Sequence, residues 1–135
     1  MDCIFCKIIK GEIPSFKIYE DENVLAFLDI APVNPGHTLI VPKKHFTNLE
    51  EIPEGELARL VVAIKRVGKA IKDGLGVEGY NVTENNGSIA GQIVPHLHFH
   101  VIPRRQGDGL KLWPQGRYQE GEAEEVAKKI KDKIY

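Results

Sequence analysis

No apolar stretch in this chain approaches the ~20 residues that a membrane-spanning helix requires, so a helical span is excluded. Cysteine occurs only as Cys3 and Cys6. Two thiols three positions apart make no disulfide framework, which removes the small secreted scaffolds. Neither sign of charge is in excess: 18 Lys+Arg stand against 19 Asp+Glu, a formal net charge of −1. That balance argues against a nucleic-acid partner and against an acidic tail. The opening Met1-Asp2-Cys3 lacks the basic-then-apolar pattern of a secretory leader, so the expectation is a cytoplasmic protein with no membrane partner. Repeats, low-complexity segments and linkers are also missing. The expectation is a single domain over residues 1–135, with an exposed arm at 107–121 and a closing helix at 122–134.

What the chain does have is histidine in one place. Three of its five histidines fall in His96-Leu97-His98-Phe99-His100-Val101-Ile102, bracketed by Pro95 and Pro103. Alternation with period two is the mark of a half-buried strand. Side chains at i, i+2 and i+4 share a face at ~6.5–7 Å spacing. Leu97, Phe99 and Val101 are thus expected in the core, with His96, His98 and His100 in a row on the other face. Neutral imidazoles in a row have two uses. They ligate transition metals. They also attack phosphorus, hold the transferred group as a phosphoramidate, and protonate a leaving group.

Around this run the periodicity predicts an α+β fold. A helical turn is expected over 3–10, and strands over 17–20, 24–28, 37–42, 80–85 and 97–102. The long helix is expected over 54–73, with Leu57, Leu60, Val61, Ile64, Val67 and Ile71 inward and Gly74 and Gly76 ending it. Residues 122–134 form a last helix with Val126, Ala127, Ile130 and Ile134 on one stripe, its acids leading and its lysines trailing. Short connections among the first three strands argue for an antiparallel meander. The Cys3-x-x-Cys6 pair is half a tetrahedral metal site or a redox pair. The redox reading needs a strand in front of the motif, and the motif sits at the start of the chain.

The histidine run also resembles the motif of the histidine triad (HIT) family of nucleotide hydrolases and transferases. So do Cys3-Ile4-Phe5-Cys6-Lys7-Ile8-Ile9, Gly11-Glu12-Ile13-Pro14, Phe27-Leu28-Asp29-Ile30, Pro35 through His45, Gly91-Gln92 and Pro103-Arg104. The resemblance covers roughly residues 3–109. It implies a five-stranded antiparallel sheet carrying a long helix, and a homodimer paired through that helix and a sheet edge. It implies a purine nucleotide (AMP-type) substrate, with His98 as nucleophile at the α-phosphorus, His100 aiding departure, and His96 and His37 orienting or ligating. By the same resemblance Asp29 anchors the ribose, although alone it reads as a turn cap. Phe5, Ile8, Phe27 and Ile30 are then walls for the base, although alone they read as core. Asn85, Gly91 and Gln92 are placed around phosphate oxygens. Structural zinc is implied at Cys3, Cys6, His45 and His96. Many members carry Ser or Thr where this chain has Ile93, so that hydroxyl contact is missing here. Gly107-Asp108 leans toward dinucleoside polyphosphate cleavage, and Trp113-Pro114 toward phosphoramidate cleavage. A nucleotide- or zinc-binding module with incidental turnover is the non-enzymatic alternative.

Overall fold

A computed structural model describes residues 2–134. The elements run α1 (Ile4–Ile9), β1 (Lys17–Glu20), β2 (Val24–Leu28), β3 (Thr38–Pro42), α2 (Glu54–Leu75), β4 (Gly79–Glu84), a short 3-10 turn (Ser88–Ala90), β5 (Phe99–Arg104) and α3 (Glu122–Ile134). The fold is α+β. Its five strands pair antiparallel in the order β1-β2-β3-β5-β4. The first three form a meander. Its first turn is closed by Asp21, whose Oδ1 accepts the N–H groups of Asn23 (2.8 Å) and Val24 (2.9 Å). The chain then leaves the sheet for α2, re-enters it at the edge as β4, and places β5 between β3 and β4.

Both faces of the sheet centre are covered, so β2 and β3 divide their side chains between two cores. Val24, Ala26, Ile40, Leu97 and Val101 face α2 and meet Leu60, Ala63, Ile64, Val67 and Ile71. Leu25, Phe27, Leu39 and Val41 face the opposite way and meet Cys3, Phe5 and Ile8. The short N-terminal segment is therefore the lid of the second core. Gly68 brings α2 close to β4, since a Cβ there would stand 2.6 Å from the Tyr80 ring. Gly76, at φ +64°, ends α2 and donates its N–H to the Lys72 carbonyl.

Several expectations are corrected. The histidine strand begins at Phe99 rather than at 97. β3 ends at Pro42, which has no N–H for a ladder and gives its carbonyl to His96, while the Leu97 N–H goes to Phe46 O at 2.7 Å. α2 runs on through Gly74 to Leu75, and Val61 lies on its exposed face, with Ala63 on the buried stripe instead. The third strand opens at Thr38, one residue after His37, and β4 ends before Asn85. The apolar stripe of α3 does not join the core: Ile130 and Ile134 are exposed and Val126 is half-buried. Among the described residues, no helix is long and apolar enough to cross a membrane.

Candidate active site and metal cluster

β3 and β5 set the site. Leu39 and His100 are register partners, and so are Ile40 and Phe99. His100, the histidine of β5, therefore emerges on the face that carries Leu39, Phe27 and the N-terminal segment. The expected row of three imidazoles is split. His98 and His100 remain a pair, ring centroids 5.0 Å apart. His96 is fully buried, and its ring packs against His45 (4.8 Å) and Phe5 (5.9 Å). The split arises because residues 96–98 precede the ladder, where the backbone is held by loop contacts.

Hydrogen-bond partners determine the tautomers of the pair. His98 Nδ1 lies 2.8 Å from the His96 carbonyl oxygen. A carbonyl only accepts, so Nδ1 carries the proton and Nε2 keeps its lone pair. His37 Nδ1 accepts the Val33 N–H at 3.1 Å, so its Nε2 carries the proton. That Nε2–H donates to His100 Nδ1 at 2.9 Å. His100 then holds its own proton on Nε2. The neighbours are thus set differently, one with a free lone pair and the other with a free N–H. Burial, assisted by the nearby His98 and His37, pushes the His100 pKa down to about 4, and burial lowers that of His37 against the opposing charge of Asp29. Both rings are neutral at pH 7.

Asp29 does two things at once. Its Oδ1 caps the Ala31 N–H at 2.8 Å, and its Oδ2 stands 3.8 Å from His37 Nε2, with the side chain partly open to solvent. The apolar residues expected beside it are divided: Phe5, Ile8 and Phe27 belong to the second core, whereas Ile30 is 87% exposed. The phosphate loop is internally committed. Gln92 Oε1 accepts the Gly87 N–H, and Gln92 Nε2 donates to Thr47 O and Val94 O. The N–H groups of Ala90, Gly91 and Gln92 return to Gly87 O and Ser88 O. Gln92 and these amides are therefore spent on loop shape. Asn85 lies against Gly91, its Nδ2 3.5 Å from where a Cβ would stand, and Gly91 itself has φ +95°. A groove of about 990 Å³ runs along this edge, lined by Thr83, Asn85, Ile89, Gly91, Ile102 and Trp113. Thr83 is the cross-strand partner of His100. The sequence reading passed over Thr83, the Val33 N–H and the Pro42 carbonyl, because only strand register and loop closure bring them to the histidines. Asp108 is drawn away from the site: Arg104 Nε and Nη2, Asn34 Nδ2 and the Arg105 and Leu110 N–H groups all donate to it.

Cys3, Cys6, His45 and His96 meet at the end of the sheet, their ligand atoms all within 4.8 Å of one another. Cys3 Sγ lies 3.4 Å and Cys6 Sγ 3.6 Å from His96 Nδ1. Cys6 Sγ lies 3.4 Å from His45 Nδ1, and the two Nδ1 atoms are 3.1 Å apart. A tetrahedral zinc with Zn–S ~2.3 Å and Zn–N ~2.0 Å has edges of ~3.3 Å (N–N), ~3.5 Å (S–N) and ~3.8 Å (S–S). The donor set and its spacing fit that ion. His96 Nε2–H donates to Pro42 O at 2.9 Å, which turns the Nδ1 lone pair into the cluster, the usual outer-shell arrangement of a metal-bound histidine.

Sheet order, triad and cluster together define a class of proteins, and comparison with known proteins identifies it. The model of the HIT domain matches residues 10–107, and the chain belongs to that family. It is 52% identical over 129 residues to an uncharacterised HIT-like protein of Methanocaldococcus jannaschii, covering 96% of this chain and 98% of that one. It is 44% identical to the adenosine 5'-monophosphoramidase hnt1 of Schizosaccharomyces pombe, covering 99% of each. Among solved structures it resembles a zinc-bound histidine triad family protein of Mycobacterium smegmatis, with a TM-score of 0.78, 38% identity and coverage of 100% and 99%.

Proposed function

We propose that this protein hydrolyses AMP conjugates of the phosphoramidate type, releasing AMP through a nucleotidyl-histidine intermediate. The observation that carries the reading is the opposite setting of two adjacent imidazoles, His98 with a free Nε2 lone pair and His100 with a free Nε2–H. His98 Nε2 attacks the α-phosphorus while the bond to the leaving nitrogen breaks. The His100 N–H donates a hydrogen bond to that nitrogen as charge builds on it, and the nitrogen takes its proton from a water molecule as it departs. The hydroxide so formed attacks the phosphorus, breaks the phosphorus–Nε2 bond and releases AMP and free His98. Asp29 takes the ribose hydroxyls through Oδ2, and the exposed Ile30 with the rim of Phe5, Ile8 and Phe27 receives the base. Asn85 supports the phosphate. The S. pombe relative, named for this activity, supports the substrate class.

Cys3, Cys6, His45 and His96 would hold zinc as a closed structural site, and the ion would supply cross-linking of the N-terminal segment to the sheet. Asp108 is engaged by Arg104 and the Arg105 N–H, so its carboxylate shapes the loop after β5. Rapid quenching of turnover with an AMP amide should trap an acid-labile, alkali-stable adduct, and peptide mapping should place it on His98. His98→Ala should abolish turnover and retain AMP binding. Wild-type turnover by that variant, or an adduct outside the triad, overturns the reading.

A further inference from the structure

We propose that the Cys3–Cys6–His45–His96 cluster is the positioning device for His98, so that metal in the cluster holds the nucleophile in its reactive tautomer. The inference rests on the nucleophile reading above, and the four cluster residues do not touch substrate.

His96 is the joint between the two groups. Its ring is fixed at both nitrogens, Nε2–H on Pro42 O and Nδ1 among the two thiols and His45. Its main-chain oxygen accepts the Nδ1–H of His98, the one bond that leaves His98 Nε2 unprotonated. Any rotation of the His96 peptide therefore removes the tautomer constraint. A second link runs through Phe5, which lies between the two cysteines in α1. Its ring meets His98 edge-on at 5.1 Å and His96 at 5.9 Å. α1 is six residues long and capped by Cys3, whose Sγ accepts the Cys6 N–H at 3.4 Å. A helix of that length is not stable alone. Its seat depends on the second core and on the four-ligand cluster. With the ligands tied, Phe5 closes one wall of the His98 pocket and the His96 carbonyl is aimed. With them untied, two thiols and two imidazoles are left facing one another with no ion between them. The segment carrying Phe5 then loses its strongest tether, and His98 samples both tautomers.

The test uses the full-length protein, stripped with a chelator and reloaded with zinc chloride. Long-range 15N–1H spectra of the histidine side chains report the tautomer directly. With zinc, His98 should show Nδ1–H alone, and without zinc an exchanging mixture of both forms. For turnover of an AMP amide, kcat should fall ~10-fold or more on stripping with KM little changed, the pattern of a lost transition-state arrangement. Reloading should restore both readouts. Phe5→Leu keeps all four ligands. It should retain zinc, loosen the His98 tautomer, and lower kcat more than it raises KM; a mere base contact would do the reverse. An unchanged His98 tautomer and kcat in the stripped protein overturn the proposal. If the stripped protein unfolds, Phe5→Leu decides alone, and a wild-type tautomer in it is refuting. Should His98→Ala keep full turnover, the nucleophile reading fails, while the spectra still decide whether the cluster controls His98.

Discussion

Replacing His37 tests whether His100 works through its tautomer. His37 is 4% exposed and holds the Val33 N–H on one nitrogen and His100 Nδ1 on the other. In His37→Leu the donor to His100 disappears and both His100 tautomers become open to it. The bond lost is a buried neutral one, worth ~0.5–1.5 kcal/mol net, and the buried acceptor left unpaired adds ~1–3 kcal/mol. If about 1.5–3 kcal/mol of this falls on the transition state, kcat drops ~10–150-fold. The loss should depend on the leaving group. An AMP amide of an alkylamine, which needs a proton on departure, should show all of it. An AMP nitrophenyl ester, which needs none, should show little. His37→Gln places an amide N–H near the same spot and should recover part of the loss. The assay is steady-state release of AMP from both substrates. Equal losses on the two substrates, or none on either, would refute the argument that His37 acts by setting the His100 proton.

The depressed pKa of His100 also makes stability depend on pH. A histidine held neutral in the fold gives stability that is complete above the unfolded value of ~6.5 and is lost as pH falls toward about 4. At ~1.4 kcal/mol per pH unit this amounts to at most ~3.5 kcal/mol, His37 adds in the same direction, and Glu84, raised by burial, works in the opposite one. The urea midpoint should fall from pH 7 to 4.5, and less steeply in His100→Asn; parallel slopes would contradict this account. Gly68→Ala should destabilise by ~1–3 kcal/mol through overpacking on Tyr80, outweighing the ~1 kcal/mol helix gain, whereas Gly74→Ala, which meets nothing within 4 Å, should stabilise. Thermal unfolding of the two variants checks the contrast.

The elements themselves were legible because their periods are local. α2 shows through Leu60, Ile64, Val67 and Ile71, the meander through the short connections between its strands, and α3 through its charge gradient. Val61 fits the helical stripe yet faces solvent, because the stripe carries no knowledge of which flank meets the sheet. Alternation persists through Leu97, but the ladder starts only at Phe99, because it needs a partner and Pro42 offers neither N–H nor carbonyl to it. Gln92 is placed at the phosphate by the family resemblance, and only the closed loop reveals that Thr47, Val94 and Gly87 use its amide.

By itself the sequence determined the elements and the chemistry its residue types allow: imidazoles at alternating positions offer metal binding or attack on phosphorus, and the motifs around them match one family. Tertiary structure alone decided which neighbour each imidazole meets. Inserting β5 beside β3 brought His37 to His100 and sent His96 to the cysteines, and single carbonyl and N–H groups from Pro42, Val33 and His96 fixed where each proton sits. A tautomer is chosen by one hydrogen bond to one neighbour, and such neighbours, distant along the chain or packed against it by a loop, exist only once the chain has folded.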